Sequence, residues 1–162
     1  YGRRYELPDD TLIKALYVAS GFGAVIAQRA SISGAEAGCQ AEIGTAAAMA
    51  AAALVYLHGG SAVQMANAAA MALKNMMGLV CDPVAGLVEV PCIKRNAAGA
   101  MNALCAAEMA LAGIESRIPP DEVIDAMAAV GAALPSSLRE TGMGGIAASP
   151  TAVKFREEFF GQ

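Results

Sequence analysis

Tryptophan is missing from the 162 residues, histidine occurs once, and aromatic residues make up only 5%. The core must therefore come from Ala, Leu, Val, Ile and Met, which suits closely packed helices better than a sheet, because strands enrich β-branched and aromatic residues. Charge is scarce as well, at 16% of residues, with 11 Lys and Arg against 15 Asp and Glu. No basic stretch exists to follow a phosphate backbone, so nucleic acid is not an expected partner. Long hydrophobic runs are lacking too. The longest uncharged one, Ile43 to Leu57, is mostly alanine and too short to cross a bilayer, so it reads as a buried helix and no membrane partner is expected. Four cysteines are too few for a disulfide scaffold in a chain of this length, and no signal peptide precedes the first helical stretch. Both features point to a reducing, cytoplasmic setting, where paired thiols bind metal or do redox chemistry.

What is present reads as a single all-α, bundle-like domain of about six helices with two irregular segments. Leu7-Pro8-Asp9-Asp10 opens a first helix, running from Asp10 to Arg29, with acidic residues at its positive end. Ser33-Gly34-Ala35-Glu36 has the pattern of a capping box and starts a long second helix to His58, stopped by Gly59-Gly60. Ser61 caps a third helix ending at Met77, with Gly78 as its stop. Pro91 fits the first turn of a fourth, to Ala112, and Pro119-Pro120-Asp121-Glu122 opens a fifth, to Ala133. A last helix covers Thr151 to Phe160. The irregular segments are Gly78 to Pro91, where Pro83 and Gly86 argue against a strand, and Pro135 to Pro150.

The cysteines stand at positions 39, 81, 92 and 105, a spacing that matches no short zinc-finger or ferredoxin pattern. Placement is more informative. Cys39 lies in the first turns of a helix, where the dipole favours thiolate. Cys81 and Cys92 bracket a loop, which can aim ligands from directions that one helix cannot. Cys105 sits mid-helix among Ala103, Leu104, Ala106 and Ala107 and is expected to be a packing residue. For the other three, inert burial and metal ligation are both open. A closed structural zinc wants four ligands, whereas three thiolates without an obvious fourth suit a centre that keeps one position for substrate.

GCQAEIGTAAAMAA from Gly38, CDPVAGLVEVPCIKRNA from Cys81 and SLRETGMGGIAASPTA from Ser137 together resemble the iron–sulfur-dependent bacterial L-serine dehydratases, and specifically the α chain of the two-chain type. The likeness runs in order through nearly the whole sequence. It implies a helical catalytic domain, 1–162, that deaminates L-serine to pyruvate and ammonia without pyridoxal phosphate, as part of amino-acid catabolism feeding gluconeogenesis. It also implies a [4Fe–4S] cluster held by Cys39, Cys81 and Cys92, acting as a Lewis acid. A β chain or β-type domain is the implied partner, with homo- or hetero-oligomerisation. An N-terminal portion with another Gly- and Pro-rich loop is implied before Tyr1. Single-chain relatives end in a cysteine able to cap the open iron, whereas this sequence ends FFGQ.

Substrate contacts are expected from Arg139, whose guanidinium suits a carboxylate but also suits an ion pair with Glu140. Gly142, Gly144 and Gly145 either let backbone N–H groups approach an anion or form an ordinary turn. Lys94, Arg95 and Asn96 follow Cys92 and either hold substrate, donate to cluster sulfurs or decorate a helical turn. Asp82 and Glu42, beside the thiols, orient ligands or relay protons, and Asp82 alternatively caps the Asp-Pro turn. His58 is read as structural at a helix C-terminus, Met65, Met71, Met76 and Met77 as core filler or interface, and the general base is expected outside this segment. Two other functions fit the residues: a related cluster-dependent lyase for another small β-substituted amino acid such as cysteine, and a non-catalytic helical module whose thiols bind zinc.

Overall fold

Local rules set most helix starts. Ser61 forms a full capping box, its hydroxyl accepting from the Gln64 N–H while the Gln64 side chain accepts from the Ser61 N–H at 2.9 Å. Proline occupies the first turn of two other helices, at Pro120 and Pro150. The computed structural model describes residues 1–161, with helices α1 (Asp9–Arg29), α2 (Gly34–Ala37), α3 (Thr45–Leu57), α4 (Ala62–Met76), α5 (Lys94–Leu111), α6 (Pro120–Ala133) and α7 (Pro150–Phe160). The described residues contain no strand, as the all-α reading expects. The two irregular segments hold short turns, at Val84–Gly86, Ser136–Leu138 and Gly145–Ala148, and the first runs into a π-helical turn at Glu89–Ile93.

One expected helix is two. The Ser33 side chain caps nothing. Its place is taken by Ser31, which bonds to the Glu36 carboxylate and accepts from the Ser33 N–H. The helix then breaks at Gly38, with φ 77° and ψ 175°, before a π-helical turn at Gln40–Gly44 leads into α3. Tertiary contact forces this break. The Leu79 carbonyl accepts from Gln40 N–H at 2.9 Å, and a Cβ at position 38 would stand 2.8 Å from that same oxygen. Only glycine combines that φ with that approach.

Helix α3 is the centre, packed against α1, α4 and α5. Ala48, Ala51 and Ala52 of α3, Ala68 and Ala72 of α4 and Ala106 of α5 are fully buried. Alanine at these contacts lets backbones approach closely, and Val55, Leu73, Val123 and Met127 fill the space that remains. Such a core has no room for growth. Ala48→Leu is expected to cost about 1–3 kcal/mol through overpacking, read as a lower urea midpoint at unchanged m-value; a midpoint equal to wild type would contradict the packing described.

Two helical stretches, Asp9–Arg29 and Gln40–Leu57, are long and apolar enough to cross a membrane by length and composition. The second is the π turn plus α3 and sits within the bundle, as the buried-helix reading of Ile43 to Leu57 expects. The first buries only Ala15 and Ile26, leaving Ile13, Leu16 and Tyr17 exposed.

Candidate metal centre

Three segments converge at one end of α3. Cys39 follows the Gly38 break and opens the π turn, Cys81 lies in the loop after α4, and Cys92 lies in a second π-helical turn, Glu89–Ile93, that feeds α5. Their sulfurs lie within 4.8 Å of one another, and all three residues are buried. Three thiol sulfurs this close, each from a buried residue, can serve one metal site. Ile43, Met76 and Leu79 pack behind it, and Gly34 abuts it: a Cβ there would lie 3.3 Å from Cys81 Sγ and 3.2 Å from a Glu42 carboxylate oxygen.

Backbone pairing holds the Cys81 arm. Cys81 N–H donates to the Leu138 carbonyl at 2.9 Å, and Glu140 N–H donates to the Cys81 carbonyl at 2.8 Å, making a parallel bridge to Arg139. The two irregular segments are thus one structural unit. Asp82, 2% exposed, ties it further: one carboxylate oxygen accepts from Arg95 Nη1 at 2.8 Å and the other from Ile146 N–H at 2.7 Å. Arg95 Nη1 also reaches the Val80 carbonyl at 2.8 Å and Cys39 Sγ at 3.8 Å. Gln40, fully buried, accepts from Gly78 N–H and donates to the Met127 carbonyl, locking the π turn to the start of the loop and to α6.

Burial pushes the Cys81 thiol far above its ordinary range, and the neighbouring Cys39 sulfur adds to the shift. Cys92 is raised for the same two reasons, against a lowering influence from Arg95. Burial acts to lower the Arg95 pKa, yet its bonds to Asp82 and Cys39 leave it raised overall. One guanidinium, already paired with Asp82, cannot balance three thiolates in an apolar pocket. The soft, closely spaced donor set therefore fits a metal centre, whose binding would displace the thiol protons.

The other expected residues scatter. Arg139 sits beside Cys81 by its backbone; its side chain donates to the Glu36 carbonyl at 3.3 Å and forms no ion pair with Glu140. Gly145, at φ 60°, faces Asp82: a Cβ there would be 2.3 Å from a carboxylate oxygen, so this glycine permits the Ile146–Asp82 bond. Gly144 lies against the Ser137 carbonyl and Gly142 against that of Pro83. Asn96 and Lys94 are exposed, and Asn96 borders a separate groove with Ile43, Ala46 and Ala47. Glu42 is exposed beside the thiols. His58 caps the far end of α3, against Tyr1. Met71 is buried in the core, Met65 and Met77 pack against it, and Met76 backs the thiols.

Cys105 needs a correction. It is exposed on α5, not packed in the core, because the inward positions of that helix are Ala103, Ala106, Ala107 and Ala110. It is not among the converging thiols. Sequence reasoning also gave no role to Gly34 or Gln40, and it left Arg95 undistinguished from Lys94 and Asn96. The only available signal was a charged residue within three positions of a cysteine, which is too common to single one out.

Residues 1–147 match the family model described as serine dehydratase alpha chain. The chain is 61% identical over 152 residues to a probable L-serine dehydratase alpha chain of Bacillus subtilis (strain 168), covering 94% of this chain and 51% of that protein. It is 56% identical over 160 residues to a probable L-serine dehydratase alpha chain of Latilactobacillus sakei, covering 99% and 77%. It is 49% identical over 156 residues to the L-serine dehydratase alpha chain of Peptoniphilus asaccharolyticus, covering 96% and 53%. The chain thus spans about half the length of the first and third of these relatives.

Proposed function

Because the chain belongs to the serine dehydratase alpha-chain family, we propose that it is the thiol-bearing part of an enzyme converting L-serine to pyruvate and ammonia, with Cys39, Cys81 and Cys92 holding a [4Fe–4S] cluster. The observation that carries this reading is the convergence of three buried thiols from three segments, with no fourth cysteine beside them among the described residues. Bound there, such a cluster supplies a Lewis acid at the iron that takes no protein thiolate.

The chain's own residues hold and orient. Three cysteines present sulfur, Asp82 and Arg95 clamp the loop that carries Cys81, and Ile43, Met76 and Leu79 keep water from the back of the site. Arg139 is the proposed partner of the substrate carboxylate, since its guanidinium makes one protein hydrogen bond among the described residues and is partly exposed. Gly144, Gly145 and Asn96 are the further proposed substrate contacts, although Gly145 already serves the Asp82 contact. The reaction removes the α-proton and the β-hydroxyl of serine as water. The aminoacrylate left behind tautomerises to an imine, and water releases pyruvate and ammonia with no net oxidation.

A β chain is the proposed partner, as the alpha-chain names of the relatives suggest. Val88, Val90, Ile93, Met143 and Ile146, exposed around the thiol loops, offer it an apolar rim. The test is anaerobic reconstitution with iron and sulfide, followed by a pyruvate assay with L-serine and with L-cysteine in the presence of that chain. About four irons per chain and pyruvate from serine in preference to cysteine are expected. One zinc per chain and no turnover of either amino acid would sink the proposal.

A further inference from the structure

Arg95 is the one cation whose side chain enters the thiol centre among the described residues. It comes from the first turn of α5, just after Cys92, yet it reaches across to the other two arms. Its Nη1 has three acceptors: the Val80 carbonyl and the Asp82 carboxylate, each at 2.8 Å, and Cys39 Sγ at 3.8 Å. Nη1 carries two hydrogens, so the sulfur, the longest of the three contacts, shares one of them. A metal-bound thiolate is a stronger acceptor than a thiol, because hydrogen bonds to an ionised partner are shorter and stronger. That sharing therefore tilts toward sulfur when the centre is loaded.

The clamp is also rigid. Asp82 is held from its other side by the Ile146 N–H, and Gly145 presses against it so closely that no side chain fits there. The guanidinium cannot drift from the sulfur without breaking a buried ion pair. We propose that Arg95 is a positioning residue of the metal centre, which fixes the Cys81 arm through Val80 and Asp82 and donates to Cys39 Sγ, weakening that sulfur's electron donation to the metal. This rests on the three thiols being metal ligands, but not on the cluster type or the substrate.

Cobalt(II) is a suitable probe, because its sulfur-to-metal charge-transfer band reports how strongly each thiolate donates. The full chain is titrated with cobalt under argon as wild type, Arg95→Gln and Arg95→Lys, with circular dichroism to verify folding. Removing the donor raises the energy of the sulfur lone pair, so the band in Arg95→Gln moves to longer wavelength. Affinity falls by about 10–100-fold, as for other groups that orient a ligand. Arg95→Lys keeps the charge but not the planar fork, and falls between the two. If Arg95→Gln does not fold, the lysine variant carries the comparison. A band and affinity unchanged from wild type in the folded variants would overturn the proposal, leaving Arg95 a purely structural clamp. No cobalt binding by wild type would overturn it together with the thiol centre. A normal cobalt site in a chain that forms no iron–sulfur cluster would remove only the cluster.

Discussion

Replacing Cys39, Cys81 or Cys92 by alanine is expected to abolish metal incorporation while leaving the helical content of the chain unchanged. Each sulfur supplies a third of the thiolate set, and the nearest other donors, the exposed Glu42 carboxylate and the Met76 thioether, are poorer ligands for a thiolate-preferring metal. Loss of one ligand should lower affinity by more than the ~10–100-fold typical of an orienting neighbour. The fold should tolerate the change, since a buried Cys behaves as a small hydrophobe and its truncation to alanine removes one heavy atom. Cys105→Ala is the matched control, because Cys105 is exposed on α5 and outside the group. Metal content after reconstitution, read beside circular dichroism, checks this. Full loading in any of the first three variants, or equal loss in the control, would contradict the assignment.

Asp82→Ala carries the second large effect, and it falls on stability. The side chain is almost wholly buried and satisfies two donors from different parts of the chain, Arg95 Nη1 and Ile146 N–H. Truncation leaves a largely buried guanidinium without its counter-charge and a backbone N–H without an acceptor. Breaking a buried pair from one side costs about 3–5 kcal/mol, a large share of the ~5–15 kcal/mol that holds a domain together. For a chain of this size the melting temperature should fall by about 6–20 °C. Asp82→Asn should fall less, because it keeps an acceptor for Ile146 while losing only the charge. A calorimetric melt of Asp82→Ala within about 2 °C of wild type would show that the loops are held without this residue.

The parts legible in the sequence are those governed by local chemistry. Ser61 and Pro120 announce helix starts through hydrogen bonding and φ restriction, and the helices begin there. The alanine and methionine composition announces an all-α core, which the burial of Ala48, Ala52, Ala68 and Ala106 bears out. The same local logic fails at Ser33 and Glu36, where a matching pattern forms no capping box because Ser31 takes Glu36 instead. It fails again at Cys105, where helix phase and not neighbouring alanines decides which face is inward.

By itself, then, the sequence determined which residues carry sulfur, where most helices begin, and that two segments form no long helix, because these follow from side-chain type, capping and backbone freedom within a few residues. Only the tertiary structure decided that the two irregular segments pair through Cys81 and Arg139, and that Gly38 interrupts a helix to let the Leu79 carbonyl in. It also decided that Arg95, of three adjacent polar residues, is the one turned toward sulfur. Those outcomes depend on groups up to more than fifty residues apart meeting at hydrogen-bonding distance. A contact of that kind leaves no periodicity in the chain, because its energy is realised only when the helices that carry both partners have already packed.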